Sequence, residues 1–113
     1  TTFGGNPICC AGGLSVLEQL DDTLLADVKK KGQYMKEKIS AMPGVKEVRG
    51  MGLMLGVALT DHEGYAAKVS AMRDKGLLCL TAGHSTIRLL PPLTISQAEI
   101  DEGLSIMASV LGA

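Results

Sequence analysis

The chain carries no tryptophan, one phenylalanine and two tyrosines, so aromatic residues make up only 3% of its 113 positions. Recognition by stacking, as used for nucleobases and sugars, is nearly excluded, because Phe3, Tyr34 and Tyr65 are too few to build a platform. The core must be assembled from Leu, Ile, Val, Met and Ala. Six methionines and fourteen glycines point to adaptable packing and many tight backbone turns. An excess of positive charge is also lacking: 11 basic residues stand against 12 acidic ones, for a formal net charge of -1. A general binder of nucleic acid or of an anionic membrane surface needs a basic excess to release counterions, so neither partner is expected. No apolar run approaches the roughly 20 residues that span a bilayer, and no charged-then-apolar leader pattern opens the chain. Three cysteines is an odd number, with Cys9 and Cys10 adjacent. A disulfide framework is not expected, and a reducing cytoplasm is the expected setting.

What is present reads as one globular domain. Hydrophobic residues reach 46% and charged residues 20%, and a chain of this length buries roughly two-thirds of the surface it exposes when unfolded. Asn6 and Pro7 suit the N-cap and first position of a helix in which Ile8, Ala11, Leu14, Leu17 and Leu20 recur at helical spacing. Gly12 and Gly13 inside that pattern cost about 1 kcal/mol each relative to Ala and are tolerable if another backbone packs closely there. Asp21-Asp22-Thr23 opens a second helix with an apolar stripe of Leu24, Leu25, Val28, Met35, Ile39 and Met42, stopped by Pro43-Gly44. The period then falls to two: Val45 to Arg49 and Leu53 to Leu59 predict an antiparallel hairpin around Gly50-Met51-Gly52. A third helix is expected from about Asp61 to Lys75, with Ala66, Val69 and Met72 inward and Gly76 as a left-handed stop. Short strands at Leu77–Leu80 and Thr86–Leu90 follow, and Pro91-Pro92 ends the second of them. Ser96 and Glu99 form a capping box for a last helix facing inward through Ile100, Leu104, Met107, Ala108 and Leu111. The order α-α-β-β-α-β-β-α predicts an α+β fold, a small and mainly antiparallel sheet with helices packed on it.

Few residues carry a chemical signal. His62 and His84 have no Cys or carboxylate at metal-ligand spacing; His62 reads as solvated surface, and His84 sits in a loop where a structural or incidental role is the better reading. Cys9-Cys10, in the first turn of a helix, reads as small buried packing residues before it reads as a reactive thiol pair. Lys29-Lys30-Lys31 reads as a solvated helix face. Two segments differ. Thr1-Thr2-Phe3-Gly4-Gly5-Asn6-Pro7 runs two hydroxyls and two glycines into a helix N-terminus, an arrangement that suits an anion or phosphate and also ordinary capping. Arg88 is the single charge in Ile87-Arg88-Leu89-Leu90-Pro91-Pro92-Leu93. It must reach solvent on the far face of its strand or meet a carboxylate, and guanidinium grips a carboxylate through two parallel hydrogen bonds.

These segments resemble a known family. Thr1 to Pro7 is similar to the [Ser/Thr]-Thr-[Phe/Tyr]-Gly-Gly-Asn-Pro motif of class III pyridoxal-phosphate aminotransferases. Arg49-Gly50-Met51-Gly52-Leu53 resembles their Arg-Gly-x-Gly-Leu hairpin. Leu80 to Gly83, with Ile87 to Ile95, resembles the acetylornithine aminotransferase branch, and the likeness runs along the whole chain in order. The resemblance implies the C-terminal small domain of a fold-type I pyridoxal-phosphate transferase. Residues 1–20 would be a lead-in segment and helix from the large-domain junction, and residues 21–113 the small domain itself. It also implies that Thr1 contacts substrate, that Thr2 binds the cofactor phosphate of the neighbouring subunit across a homodimer, and that Arg88 grips a substrate carboxylate. The lysine that holds pyridoxal 5'-phosphate is not among these residues. The expectation is a domain cut from a longer enzyme, catalytically inactive by itself and without bound cofactor.

The activity implied for the parent is transfer of the terminal amino group of N2-acetylornithine to 2-oxoglutarate, in arginine biosynthesis. Succinylornithine, ornithine or 4-aminobutyrate are alternative donors within the family. A non-enzymatic small-molecule binding module is the reading from another class, and it leaves Thr1 and Thr2 without a role.

Overall fold

Asn6 starts the first helix as the sequence leads one to expect. Its side-chain oxygen accepts from the backbone N–H of Ile8 at 3.0 Å and of Cys9 at 3.2 Å, and Pro7 fills the first helical position. In the computed structural model, which describes residues 1–112, this helix α1 spans Pro7–Gln19. It buries none of its residues. A Cβ added at Gly12 or Gly13 would meet nothing within 4 Å, so the close backbone neighbour anticipated there is not supplied by this chain. Cys9 and Cys10 are exposed for the same reason, which corrects their reading as buried packing residues.

Helix α2 (Asp22–Ser40) is capped by Asp21, whose carboxylate accepts from Leu24 N–H at 2.8 Å. It buries Val28, Gly32, Met35 and Ile39; Leu25, at 43% exposure, lies off the stripe. Strands β1 (Val45–Met51) and β2 (Met54–Leu59) pair antiparallel, closing on Met51 opposite Met54. The turn is therefore Gly52-Leu53, one step later than the glycine spacing indicated. Gly52 takes the left-handed backbone (φ 54) that a two-residue hairpin turn needs, while Gly50 pairs with Leu55 inside the ladder.

Helix α3 (Tyr65–Asp74) starts four residues later than expected. Asp61 Oδ1 accepts from Glu63 N–H at 3.1 Å and Gly64 N–H at 2.8 Å. That closes a side-chain turn which competes with helical bonding. Strand β3 (Leu80–Ala82) likewise starts three residues late, because Leu77 N–H still closes the end of α3 on Met72 O at 2.9 Å. Strand β4 (Thr86–Leu89) and helix α4 (Gln97–Leu111) complete the order, with the Ser96–Glu99 capping box formed. Ala66 and Ala108 are exposed, against the expectation that they face inward. Methyl groups add little apolar area, and the larger Val110 takes the buried position on α4.

The sheet order is β1-β2-β4-β3 with every neighbouring pair antiparallel. Helices α2 and α3 pack on the sheet, α2 against β1 and β2 and α3 against β3 and β4, and α4 packs on both helices. The core lies in that layer: Ile39, Leu55, Val57, Leu59, Met72, Ile87 and Met107 are each at most 1% exposed. The expected α+β architecture is the observed one.

Helix α2 meets the hairpin turn at Gly32, where an added Cβ would collide with the carbonyl of Gly52. Backbone cannot retreat as a side chain tip can, so Gly32→Ala should destabilise the domain by about 1–3 kcal/mol. A chemical-denaturation midpoint equal to that of the native sequence would count against this contact. A second expectation concerns acid. The Lys68 ammonium, at 2.8 Å, and the Gly64 N–H hold the Asp61 carboxyl down from 3.8 to about 2. Its ionised form thus favours the fold at pH values above 3.8, and that contribution is lost as pH falls through about 2. An NMR titration of the Asp61 carboxyl carbon should find its midpoint near 2, and Lys68→Met should move it upward.

Candidate functional site

Strand alternation decides what the other face of the sheet displays. On β4, Ile87 and Leu89 enter the core, which turns Thr86 and Arg88 to that other side, where Thr86 and its β2 partner Ala58 are buried. Arg88 is exposed. The ion pairs among the described residues join Lys31 to Asp27, Arg49 to Glu47 and Lys68 to Asp61, so no carboxylate of the described residues neutralises Arg88. Of the two outcomes open to this charge, it takes solvent, with its guanidinium uncommitted.

Cross-strand pairing brings a second arginine to the same face. Gly56 of β2 lies opposite Arg49 on β1 and opposite Arg88 on β4. The Arg49 side chain crosses above Gly56. A Cβ built there would lie 3.7 Å from Arg49 Cγ and 3.9 Å from its Nε. Beyond the glycine, Arg49 Nη2 donates to Thr86 Oγ1 at 3.1 Å. Nη1 donates to Glu47 Oε2 at 3.3 Å, and both partners of that pair are more than half exposed, so it adds little. Arg49, Gly56, Thr86 and Arg88 line one shallow concavity of about 390 Å³.

Thr86 is 3% exposed. While accepting from Arg49 it donates to His84 O at 3.2 Å. His84 and Ser85 both hold left-handed backbones, φ 59 and 58. The buried Ser85 hydroxyl lies 2.6 Å from His62 Nδ1. His62 is exposed, as expected, yet it is also tied to the β3–β4 turn. Among the described residues no group of three His, Cys, Asp or Glu side chains could hold a metal.

Thr1 and Thr2 lie in the turn leading to α1, both exposed. The amides of Ile8 and Cys9 are taken by the Asn6 side chain and that of Cys10 by Asn6 O at 2.9 Å. An anion at this turn would therefore be held by the threonine hydroxyls and loop amides rather than by the helix amides. The turn is shaped around its hydroxyl: an added Cβ at Gly4 would collide with Thr1 Oγ1. These groups fit a phosphate. Because α1 buries no residue, nothing within the chain joins Thr1 and Thr2 to Arg88 in one pocket.

Arg49 is the residue that sequence reasoning passed over. Its signal was its polar place in the alternating Val45–Arg49 strand together with Gly56 at the middle of an apolar run. The two meet only once the register is known.

Comparison with known proteins places these features in context. Residues 1–111 match the family described as Aminotransferase class-III. The acetylornithine aminotransferase of Lactococcus lactis is 40% identical over 115 residues, covering 98% of this chain and 30% of that protein. The LysW-aminoadipate semialdehyde transaminase of Deinococcus radiodurans is 42% identical, with 98% and 26% covered. The crystal structure of N-acetylornithine aminotransferase from Stenotrophomonas maltophilia superposes with a TM-score of 0.85 at 30% identity, covering 96% of this chain and 32% of that one. The chain thus spans about 30% of the length of the relatives it matches. With the Thr-Thr-Phe-Gly-Gly-Asn-Pro turn, the Arg49 hairpin and the Arg88 strand all in place, the chain belongs to the class III aminotransferases.

Proposed function

We propose that this chain supplies the acid-binding arginine and part of the cofactor phosphate grip of a pyridoxal-phosphate-dependent aminotransferase. The amino group moved is the terminal one of N2-acetylornithine, and the acceptor is 2-oxoglutarate. The observation that carries the reading is Arg88: a guanidinium with no ion-pair or hydrogen-bond partner among the described residues, set on strand β4 just before Leu89-Leu90-Pro91-Pro92. Such a group binds and orients a planar carboxylate through two parallel hydrogen bonds, which an ammonium cannot reproduce. The strand fixes the backbone position and direction from which the guanidinium reaches.

Thr2 holds the cofactor phosphate of a neighbouring subunit in a homodimer, and Thr1 touches the substrate beside it. Support comes from the free hydroxyls at the exposed tip of α1 and from the separation of that tip from the sheet within one chain. When bound, pyridoxal phosphate supplies the electron sink of the reaction. The residues of this chain supply orientation and charge. Nothing here calls for nucleic acid or membrane; no helix of the described residues is long and apolar enough to cross a bilayer, and a cytoplasmic enzyme fits this composition.

The donor is the point at which a second reading has support. A relative named for LysW-aminoadipate semialdehyde matches at 42% identity, level with one named for acetylornithine at 40%. Both names describe transaminases, so they leave the acceptor-side role of Arg88 untouched. Rates of the full-length protein with acetylornithine, succinylornithine, ornithine and 4-aminobutyrate identify the donor.

In the full-length protein, Arg88→Lys should raise KM for 2-oxoglutarate strongly. Losing a bidentate arginine removes on the order of 2–5 kcal/mol of binding, and KM for the amino donor should move far less. Unchanged acceptor kinetics would sink the assignment. Thr2→Val keeps the side chain's shape and deletes its hydroxyl. It should weaken cofactor retention by about 1.5–3 kcal/mol, the worth of one hydrogen bond to a charged group. A variant that keeps its cofactor through dialysis as well as the native protein does would refute that role.

A further inference from the structure

We propose that Arg49 is a second guanidinium of the carboxylate site at Arg88, gripping the same acid from the opposite side of Gly56. The proposal rests on the reading of Arg88 as an acid anchor and adds a residue to it. Three observations carry it. Register puts Arg49 and Arg88 on either side of Gly56 on one face. The Arg49 side chain does not point away from that face but lies across the glycine, ending on Thr86 Oγ1 at 3.1 Å. Thr86 and Arg88 are same-face neighbours two residues apart, roughly 7 Å along the strand. The Arg49 guanidinium is thereby set down beside Arg88, and the two line one concavity.

Two like charges lining one concavity repel, and an anion between them relieves that repulsion. Glu47 is the acidic residue paired with Arg49, and none pairs with Arg88, so the face carries a surplus positive charge. Arg49 spends two of its five N–H donors on Glu47 and Thr86, leaving three. A carboxylate offers about four lone-pair sites on two oxygens and can accept from both guanidiniums at once. Arg49 passes over Gly56 at contact distance, and an added Cβ there would press on Thr86 Cγ2 at 3.3 Å, the residue that holds the Arg49 guanidinium.

The test uses the full-length, cofactor-loaded protein and glutarate, an unreactive dicarboxylate, measured by calorimetry. Arg49→Gln should weaken glutarate by roughly tenfold, with Arg49→Lys between it and the native protein. In turnover, KM for 2-oxoglutarate should rise with little change in kcat or in KM for the amino donor. That split is one that a merely structural arginine would not produce. If Arg88→Gln abolishes glutarate binding while Arg49→Gln binds like the native protein, the shared site is overturned and the Arg88 reading stands. If neither variant alters glutarate affinity, both fall. Should Arg49→Gln fail to fold, Thr86→Val keeps the shape of its side chain but deletes the hydroxyl that holds the Arg49 guanidinium, releasing Arg49 without removing its charge. It should weaken glutarate in the same direction, and native affinity in that variant would overturn the proposal.

Discussion

The pairing of β2 between β1 and β4 is the constraint on which the site depends. Side chains alternate along a strand, so a register fixed for the sake of the core fixes the opposite face as well. Leu55, Val57 and Leu59 must be buried, each at most 1% exposed, and Ile87 and Leu89 must meet them from β4. Once those five residues are inside, Gly56 and Arg88 have no choice but to face outward. The energy that positions Arg88 is therefore hydrophobic burial on the other side of the sheet, about 1.5–3 kcal/mol for each large apolar side chain. None of it is drawn from the arginine. A charged anchor set by a core it does not touch can stay uncommitted until its ligand arrives.

How much of this is legible in the sequence depends on how local the determining interaction is. The caps are local: Asn6 with Pro7, Asp21, and Ser96 with Glu99 are each read from a few adjacent residues, and each forms. Arg88 is also local, as one charge inside an apolar strand, and alternation alone turns it away from the core. The start of α3 and the place of β3 are not. Both depend on which of two competing bonds wins, the Asp61 side chain against the helix and the Met72 carbonyl against the sheet. Arg49 is the least local of all. Its importance comes from a glycine seven residues away and a threonine 37 residues away, and no periodicity in β1 points to either.

Helix α1 follows a different logic from the rest of the domain. Ile8, Leu14 and Leu17 recur at helical spacing, which on any other helix here marks a buried stripe; on α1 they are 62–83% exposed. The two glycines beside them meet no atoms of this chain. A pattern for burial without burial is consistent with a helix whose packing partner lies outside this chain. The candidate phosphate-binding threonines stand in the turn that leads into it, so the order of that turn would depend on the same partner. The Asn6 cap keeps its amides satisfied in the meantime.

The β3–β4 turn shows how the register itself is secured. Two consecutive left-handed residues that are not glycine, His84 and Ser85, cost on the order of 1–3 kcal/mol each and persist only where the surroundings over-determine them. Here they do. Leu59 N–H donates to Ser85 O at 3.0 Å, His62 binds the Ser85 hydroxyl, and Thr86 binds the His84 carbonyl. Each bond comes from a different part of the fold: the end of β2, the loop before α3, and β4 itself. Together they fix the residue at which β4 begins. A slip of one residue would drive Arg88 into an apolar layer with no carboxylate and expose Ile87. The strained turn thus blocks the one error that the alternating pattern of β4 could not survive, and it does so at the residue to which Arg49 is tied.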